Sequence, residues 1–170
     1  MLWFSRYDGS LPNSVRPVSY RVARRCVEQY HYLGYAPRIS MVNLGVFSGK
    51  TLLGVMLFSH PTARHEEQSE TFELTRMCLI DEAPKNSETR ALSLAYRWLR
   101  MNTERKRLIA YADTAEGHEG IIYRAGGWHE IQRKDPVGHW DSRGNRRPTQ
   151  GGAKIKFEKW ITGKRRRTTT

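Results

Sequence analysis

The order of strand-like and helix-like segments in the middle of the chain limits the fold most strongly. Segment 72–80, FELTRMCLI, is rich in residues that favour β-structure and predicts a strand, and segment 107–112, RLIAYA, predicts another. Between them, apolar residues recur at helical spacing and predict the buried stripe of a long helix: Ala91, Leu92, Ala95, Trp98 and Leu99. Asn86 or Ser87 can cap this helix, and Glu88 favours its first turn.

The flanking segments extend the same pattern. Ser19 can cap a first helix, whose apolar side carries Val22, Ala23, Cys26, Val27 and Tyr30. Segments 42–47 and 52–58 alternate around Gly49 and predict a hairpin. A short helix within 116–127 ends at Gly126 and Gly127, and strands follow at 128–131 and 154–160. The order predicts an α/β (α+β) domain built around one mixed sheet.

The charge of the chain favours a polyanionic partner. The formal net charge is +12, and residues 132–170 hold 12 basic and 3 acidic residues. Nucleic acid is favoured over a membrane surface because the basic segment lacks the broad apolar face of an interfacial helix. The predicted phosphate contacts are basic residues of this region: Arg143, Arg146, Arg147, Lys154, Lys156, Arg165, Arg166 and Arg167. A solvated surface in a basic protein is the alternative.

Other features indicate the setting of the protein. Cys26 and Cys78 are far apart in the sequence and have no metal-binding spacing, which suggests a reducing compartment such as the cytoplasm. The first residues are too short an apolar run for a signal peptide, and no segment approaches membrane-spanning length. We therefore expect an unexported protein with no membrane partner. The oligomeric state stays open, with a homodimer as one option.

Two motifs resemble those of known families. IIYRAGGW, at 121–128, is similar to the ending of the short helix in the GNAT acyltransferases, which implies a GNAT-like domain with splayed central strands in a mostly antiparallel sheet. In that fold the loop before the long helix binds coenzyme A phosphates, so the resemblance implies acetyl-CoA or another acyl or glycyl-type donor. The corresponding residues here are Lys85, Asn86, Ser87, Glu88, Thr89 and Arg90. This loop has no glycine, unlike the usual phosphate-binding motif, and it can offer helix-terminal amides instead.

A narrower resemblance covers roughly Tyr30 to Trp128. HYLG, ELTRM, NSETR and YADTAEGHEGIIYRAGGW together resemble the Mom family of phage DNA-modification proteins. The resemblance implies an enzyme that converts adenine in double-stranded DNA to an N6-carbamoylmethyl derivative and so protects phage DNA from host restriction. It also implies a Mom-type domain over 1–162 and, for a phage-encoded protein, residence in the cytoplasm of a bacterial host. The residues GKRRRTTT, at 163–170, predict a basic flexible tail.

Four residues are candidates for catalysis under this resemblance. Asp113 ends a predicted strand and could accept a proton from the adenine amine, although strand-end aspartates also cap the next turn. Tyr123 stands where many GNAT enzymes place an acid, or it belongs to the core. His31 and Tyr32 close the first helix, where the fold forms the acceptor side of the cleft. His31 is a second possible base, and Tyr32 offers a stacking face or a hydroxyl.

The sequence leaves the roles of further residues open. The resemblance also implies iron as an option, and its candidate ligands are His31, Asp113, His118 and Glu119, which have no diagnostic spacing. Alternation along the strand predicts Glu73 and Thr75 on one face and Arg76 on the other. Trp140, in a basic loop, could wedge beside an extruded base or pack in the core.

Two other functions remain open from the sequence. One is a conventional acetyl-CoA-dependent N-acetyltransferase that acts on a protein or small-molecule amine. The other is a DNA-binding protein without enzymatic activity, which would show salt-dependent binding and no altered nucleoside.

Overall fold

Seven strands form one mixed sheet in the computed structural model, which describes residues 7–134, 139–140, 146–147 and 152–161. The strands are β1 (Ser14–Pro17), β2 (Val42–Ser48), β3 (Thr51–Ser59), β4 (Thr71–Leu79), β5 (Arg107–Asp113), β6 (His129–Lys134) and β9 (Lys154–Trp160). The helices are α1 (Tyr20–Tyr30), α2 (Ser87–Asn102) and α3 (Ile121–Ala125), with a 3₁₀ turn at Thr114–Glu116. A separate ladder pairs β7 (His139–Trp140) with β8 (Arg146–Arg147).

The strand order across the main sheet is β1-β2-β3-β4-β5-β9-β6. β4 and β5 are parallel, and every other neighbouring pair in this sheet is antiparallel. A parallel pair requires a crossover connection, which α2 supplies. The predicted α/β (α+β) class with a mixed, mostly antiparallel sheet is confirmed. β1, a four-residue edge strand, was not predicted.

Helices cover both faces of the sheet. On one face, α2 and α3 pack against the large apolar cluster that contains Leu74, Ala110 and Phe157. On the other face, Ala23, Cys26 and Val27 of α1 pack against Val55, Leu57 and Cys78 of the sheet. Most of both predicted apolar stripes is therefore buried, whereas Val22, Tyr30 and Trp98 are partly buried. As predicted, the Ser19 side chain caps α1 by accepting the amide hydrogen of Val22 at 3.3 Å.

The parallel strands separate halfway along their length. Their pairing runs from Thr71 opposite Arg107 to Leu74 opposite Ala110 and then stops, although β4 continues to Leu79 and β5 to Asp113. A bulge accompanies the separation, because Leu57 pairs with Arg76 and Phe58 with Leu74, so that Thr75 has no register partner. The predicted splay of the central strands is thus confirmed, and it opens the sheet where ligands enter α/β folds.

A cluster of charged residues lies beside β5 and β9. Glu66 forms ion pairs with the ammonium group of Lys156 and, at 2.9 Å, with Nη1 of Arg107. Arg107 also pairs through Nε with Glu158 at 2.8 Å. Burial raises the pKa of Glu66, but the ion pairs with Lys156 and Arg107 together outweigh it, so the pKa lies below its usual value. The cluster joins the loop before β4 to the sheet on the face that α1 occupies.

In the described part of the chain, no helix is both long enough and apolar enough to cross a membrane.

Candidate active site

A cavity of about 360 Å³ lies where β4 and β5 separate. Its walls come from the end of α1, the separated parts of β4 and β5, the first turn of α2, and the segment from Gly117 to Tyr123. All four predicted catalytic residues line it: His31, Tyr32, Asp113 and Tyr123. The volume lies at the lower end of the range for small-molecule sites. Distant parts of the sequence are thus brought to one place by the splay.

The four residues approach the cavity from the two faces of the sheet. Ala110 and Ala112 belong to the cluster under α2 and α3, so alternation along β5 places Asp113 on the opposite face. His31 and Tyr32 follow α1 on that opposite face, whereas Tyr123 is part of the cluster under α2 and α3. The cavity is therefore lined by side chains from both faces of the sheet.

His31 is held in a defined orientation. Its backbone N–H donates to the Val27 carbonyl at 2.9 Å and ends α1, and its Nδ1 accepts the Leu33 amide hydrogen at 3.1 Å. The ring stacks on Tyr32 with centroids 4.5 Å apart and planes at 26°. Burial, together with the positive charge of Arg76 and the nearby His118, lowers the pKa of His31 from 6.5 to about 4. His31 is therefore neutral at physiological pH.

Tyr32 and Asp113 complete the α1 side of the cavity. Tyr32 is 52% exposed, and its ring also lies 5.5 Å from that of His118. Burial and then the negative charge of Asp113 raise the pKa of Tyr32. Asp113 Oδ1 accepts the Ala115 amide hydrogen at 3.0 Å and so caps the 3₁₀ turn. The capping role foreseen for this aspartate is real, and the same carboxylate also lines the cavity.

Tyr123 is fixed from the other side. Its ring stacks on Phe157 at 5.1 Å and meets Trp128 edge-on at 5.3 Å. Burial, with the nearby Tyr32, raises the pKa of Tyr123, so its phenol keeps its proton. The residue is therefore a core residue and a cavity residue at once.

Residues 13–145 match the profile of the Mom protein family, which is well over half of the chain. The chain belongs to the Mom protein family. Over 146 residues it is 32% identical to the methylcarbamoylase Mom of Escherichia phage Mu, and the alignment covers 78% of this chain. The chain spans 61% of the length of that phage Mu protein.

Solved structures place the Mom-family domain in the GNAT fold. The ribosomal-protein-S18-alanine N-acetyltransferase of Escherichia coli has a TM-score of 0.60 at 9% identity, covering 92% of this chain and 99% of that one. A GNAT-family acetyltransferase of Elizabethkingia anophelis, solved with acetyl-CoA bound, has a TM-score of 0.54 at 11% identity, covering 86% and 97%. At these identities the likeness concerns the fold alone.

The first turn of α2 carries the predicted donor-binding residues. Asn86 precedes the helix in a left-handed conformation with φ 71°, and its side chain makes no capping hydrogen bond. The Ser87 amide donates to the Pro84 carbonyl at 3.1 Å, while Arg90 Nε donates to the Pro12 carbonyl at 3.3 Å.

The remaining groups of this turn suit an anion. The Ser87 hydroxyl is buried and has no hydrogen-bond partner among the described residues. The amides of Glu88 and Thr89 lie in the first turn, where a helix offers them no acceptor. The two amides can donate to one anionic oxygen group, whereas the Ser87 hydroxyl exposes no surface to a ligand and Ser87 does not line the cavity. Lys85 is exposed, and Glu88 lines the cavity.

The described residues give no support to the iron hypothesis. No three His, Cys, Asp or Glu side chains within them lie close enough to hold a metal ion. His31, Asp113, His118 and Glu119 all line the cavity, but Nδ1 of His31 already accepts a backbone hydrogen and Glu119 pairs with Arg133 at 3.2 Å.

The predicted DNA contacts have different surroundings. Lys154 is exposed and is the register partner of Asp113, so it lies beside the cavity. Lys156 is buried and paired with Glu66, which leaves its ammonium no access to a phosphate. Arg146 and Arg147 form β8, and Trp140 lies in β7. Arg143, Arg165, Arg166 and Arg167 lie outside the described residues, as does the predicted tail.

The bulge at Thr75 changes which residues share a face. Leu79 packs with the cluster under α2, whereas Cys78 packs with α1, so Arg76 lies on the α1 face together with Glu73. The prediction that Arg76 faces away from Glu73 is therefore wrong. Glu73 supports the preceding loop by accepting from the Thr62 amide at 2.7 Å. Arg76 lines the cavity and donates from Nε to the Tyr35 carbonyl at 3.2 Å.

Tyr111 also lines the cavity, and the sequence analysis missed it. It is 36% exposed, and burial followed by the charges of Glu73 and Glu66 raises its pKa to about 12. Its position two residues before Asp113 on a strand places both side chains on one face, which is the signal that could have identified it.

Proposed function

We propose that this chain transfers a carbamoylmethyl group to N6 of adenine in DNA and thereby protects phage DNA from restriction. The observation that carries the proposal is the convergence of His31, Tyr32, Asp113 and Tyr123 on one cavity in a chain of the Mom family. The name of the phage Mu relative, methylcarbamoylase, gives the chemical class of the transferred group.

The adenine enters from the α1 side. The lone pair of N6 is delocalised into the ring, so the amine must lose a proton as its new bond forms, and a base close to it is needed. Asp113 serves as that base, because its carboxylate lines the cavity and keeps Oδ2 outside the capping contact. The exposed ring of Tyr32, stacked on His31, offers a face on which a base can stack.

The donor enters from the α2 side. The amides of Glu88 and Thr89 would hold its phosphate end, if it is a coenzyme A derivative. The coenzyme would supply an activated carbon with a thiolate leaving group. Tyr123, which keeps its proton, would donate a hydrogen bond to the departing thiolate. The bond from N6 to the transferred carbon would form as the carbon–sulfur bond of the donor breaks, while N6 loses one proton to Asp113 and the sulfur leaves as a thiolate.

The DNA must present the adenine outside the helix, because N6 is paired and stacked inside a duplex. Exposed Lys154 beside Asp113 offers a phosphate contact at the mouth of the cavity. Leu33 lines the cavity, and Tyr35 in the same loop is 57% exposed. These side chains can fill the space in the duplex that the extruded base leaves. The net charge of +12 supports the same partner.

The test is mass spectrometry of nucleosides from plasmid DNA of bacteria that express the protein or its variants. Wild type is expected to convert deoxyadenosine to its carbamoylmethyl derivative. Asp113→Asn keeps an oxygen for the Ala115 amide and removes the charge, so it should fold and lose the product. Asp8→Asn is the matched control, because Asp8 Oδ1 caps the Ser10 amide at the same 3.0 Å and does not line the cavity.

Other outcomes of these measurements would contradict the role of Asp113 or the proposed function. Normal product with Asp113→Asn would remove Asp113 from the proposed chemistry. Unaltered DNA with wild type, together with acetylation of an amine that does not depend on DNA, would favour the acetyltransferase function. Salt-dependent DNA binding with no altered nucleoside would favour a binding protein.

A further inference from the structure

The imidazole of His31 has one nitrogen committed to its own backbone. Nδ1 accepts the Leu33 amide hydrogen at 3.1 Å, so it must carry a lone pair and no proton. A ring turned over by 180° would place a carbon against that amide. The stack on Tyr32 holds the ring plane, with centroids 4.5 Å apart. The proton of neutral His31 therefore resides on Nε2.

This tautomer changes what His31 can do. Nε2–H is a hydrogen-bond donor, and it has no acceptor among the described residues. To act as a base at Nε2, the ring would first have to move its proton to Nδ1 and break the Leu33 contact. The low pKa opposes protonation of the ring as well. His31 is thus unsuited to the role of base that the sequence left open for it.

We propose that His31 and Asp113 read the edge of the target adenine as a donor and acceptor pair. Nε2–H of His31 donates to N1 of adenine, and the carboxylate of Asp113 accepts from the neighbouring N6 amine. Both groups line the cavity together with Tyr32, on which His31 stacks and whose pKa the charge of Asp113 raises. The proposal rests on the proposed function and gives it a source of base selectivity.

The pair selects by hydrogen-bond complementarity. Adenine offers an amine donor beside a ring acceptor, whereas guanine and thymine offer a carbonyl oxygen where the amine stands. That oxygen would face the carboxylate of Asp113 with no hydrogen between them, which costs far more than a lost contact. Cytosine shows the same pattern as adenine on a smaller ring, so the pair excludes two of the three other bases.

The tautomer can be tested without DNA. In ¹⁵N-labelled full-length protein, two-bond ¹H–¹⁵N correlation spectra separate protonated from unprotonated ring nitrogens. We expect Nδ1 of His31 unprotonated and Nε2 protonated at neutral pH, with the assignment made by comparison with His31→Gln. A protonated Nδ1 would overturn the inference and leave the proposed function intact.

Recognition is tested by equilibrium binding, which needs no donor. The probe is a fluorescein-labelled duplex of G·C pairs with one adenine opposite an abasic site. Replacing that adenine by 1-deazaadenine, which has a carbon in place of N1, should weaken binding by roughly two- to ten-fold, the range for one neutral hydrogen bond. 7-Deazaadenine, which keeps N1, should bind like adenine.

Variants connect this loss to His31. His31→Leu should bind adenine and 1-deazaadenine alike, whereas His31→Gln, which retains an N–H donor, should recover part of the preference. His129→Gln is the control, because His129 is exposed on β6 and does not line the cavity. If replacing adenine by 1-deazaadenine weakens binding equally in wild type and His31→Leu, the inference is overturned and the proposed function stands. Absence of any salt-dependent binding would overturn the proposed function and this inference with it.

Discussion

Gly120 provides a quantitative test of how the cavity wall is built. It precedes α3 with φ +74°, and a Cβ at this position would lie 2.2 and 2.3 Å from two ring carbons of Phe157. Phe157 is fully buried and stacks on Tyr123, so the ring cannot move away without disturbing the cavity. The left-handed backbone costs a residue with a side chain about 1–2 kcal/mol. The forced repacking costs about 1–3 kcal/mol more.

Gly120→Ala is therefore expected to lower the free energy of unfolding by about 2–5 kcal/mol. Gly117→Ala is the matched control, because Gly117 has φ +72° but no atom within 4 Å of its Cβ position. It should lose only the backbone share, about 1–2 kcal/mol. Urea unfolding at equilibrium measures both values from the midpoint and slope. Equal losses for the two variants would refute the argument that the Phe157 ring, and not the backbone alone, requires glycine at position 120.

Three further predictions concern ionisable side chains. Lys156→Met leaves the buried carboxylate of Glu66 with one fewer partner, so it should lower the free energy of unfolding, measured by urea titration, by about 3 kcal/mol. An effect near zero would contradict the structural role of the pair. Lys154→Ala should weaken duplex binding and reduce the slope of log affinity against log salt by about 1, with unchanged stability; an unchanged slope would remove this phosphate contact. Unfolded His31 takes up a proton near pH 6.5 and folded His31 only near pH 4, so the free energy of unfolding should fall as the pH drops through this window. His31→Gln should flatten this part of the curve of unfolding free energy against pH. Parallel curves for the variant and wild type would contradict the burial of a neutral ring.

Much of the fold follows from local patterns in the sequence. The helix stripe of Ala91, Leu92, Ala95 and Leu99 is buried, and the hairpin around Gly49 forms between β2 and β3. β1 was missed because four residues ending in Pro17 show no clear alternation, and the strand is fixed by pairing with β2. The bulge at Thr75 was missed for a similar reason, since a local pattern does not reveal where the partner strand shifts its register.

The site was predicted in part. Resemblance to family motifs identified His31, Tyr32, Asp113 and Tyr123 as candidates, and all four line one cavity. The sequence could not separate Lys154 from Lys156, because only the tertiary contact with Glu66 makes one buried and leaves the other exposed. It also could not assign the proton of His31, which depends on a hydrogen bond from a loop amide.

The most direct test of the central claim is the accurate mass and position of the group that the protein adds to DNA. Tandem mass spectrometry of nucleosides from cells that express wild type should show a deoxyadenosine adduct whose base fragment carries a carbamoylmethyl group on N6. An acetyl group on the base, or deoxyadenosine unchanged from cells with an empty vector, would contradict the account.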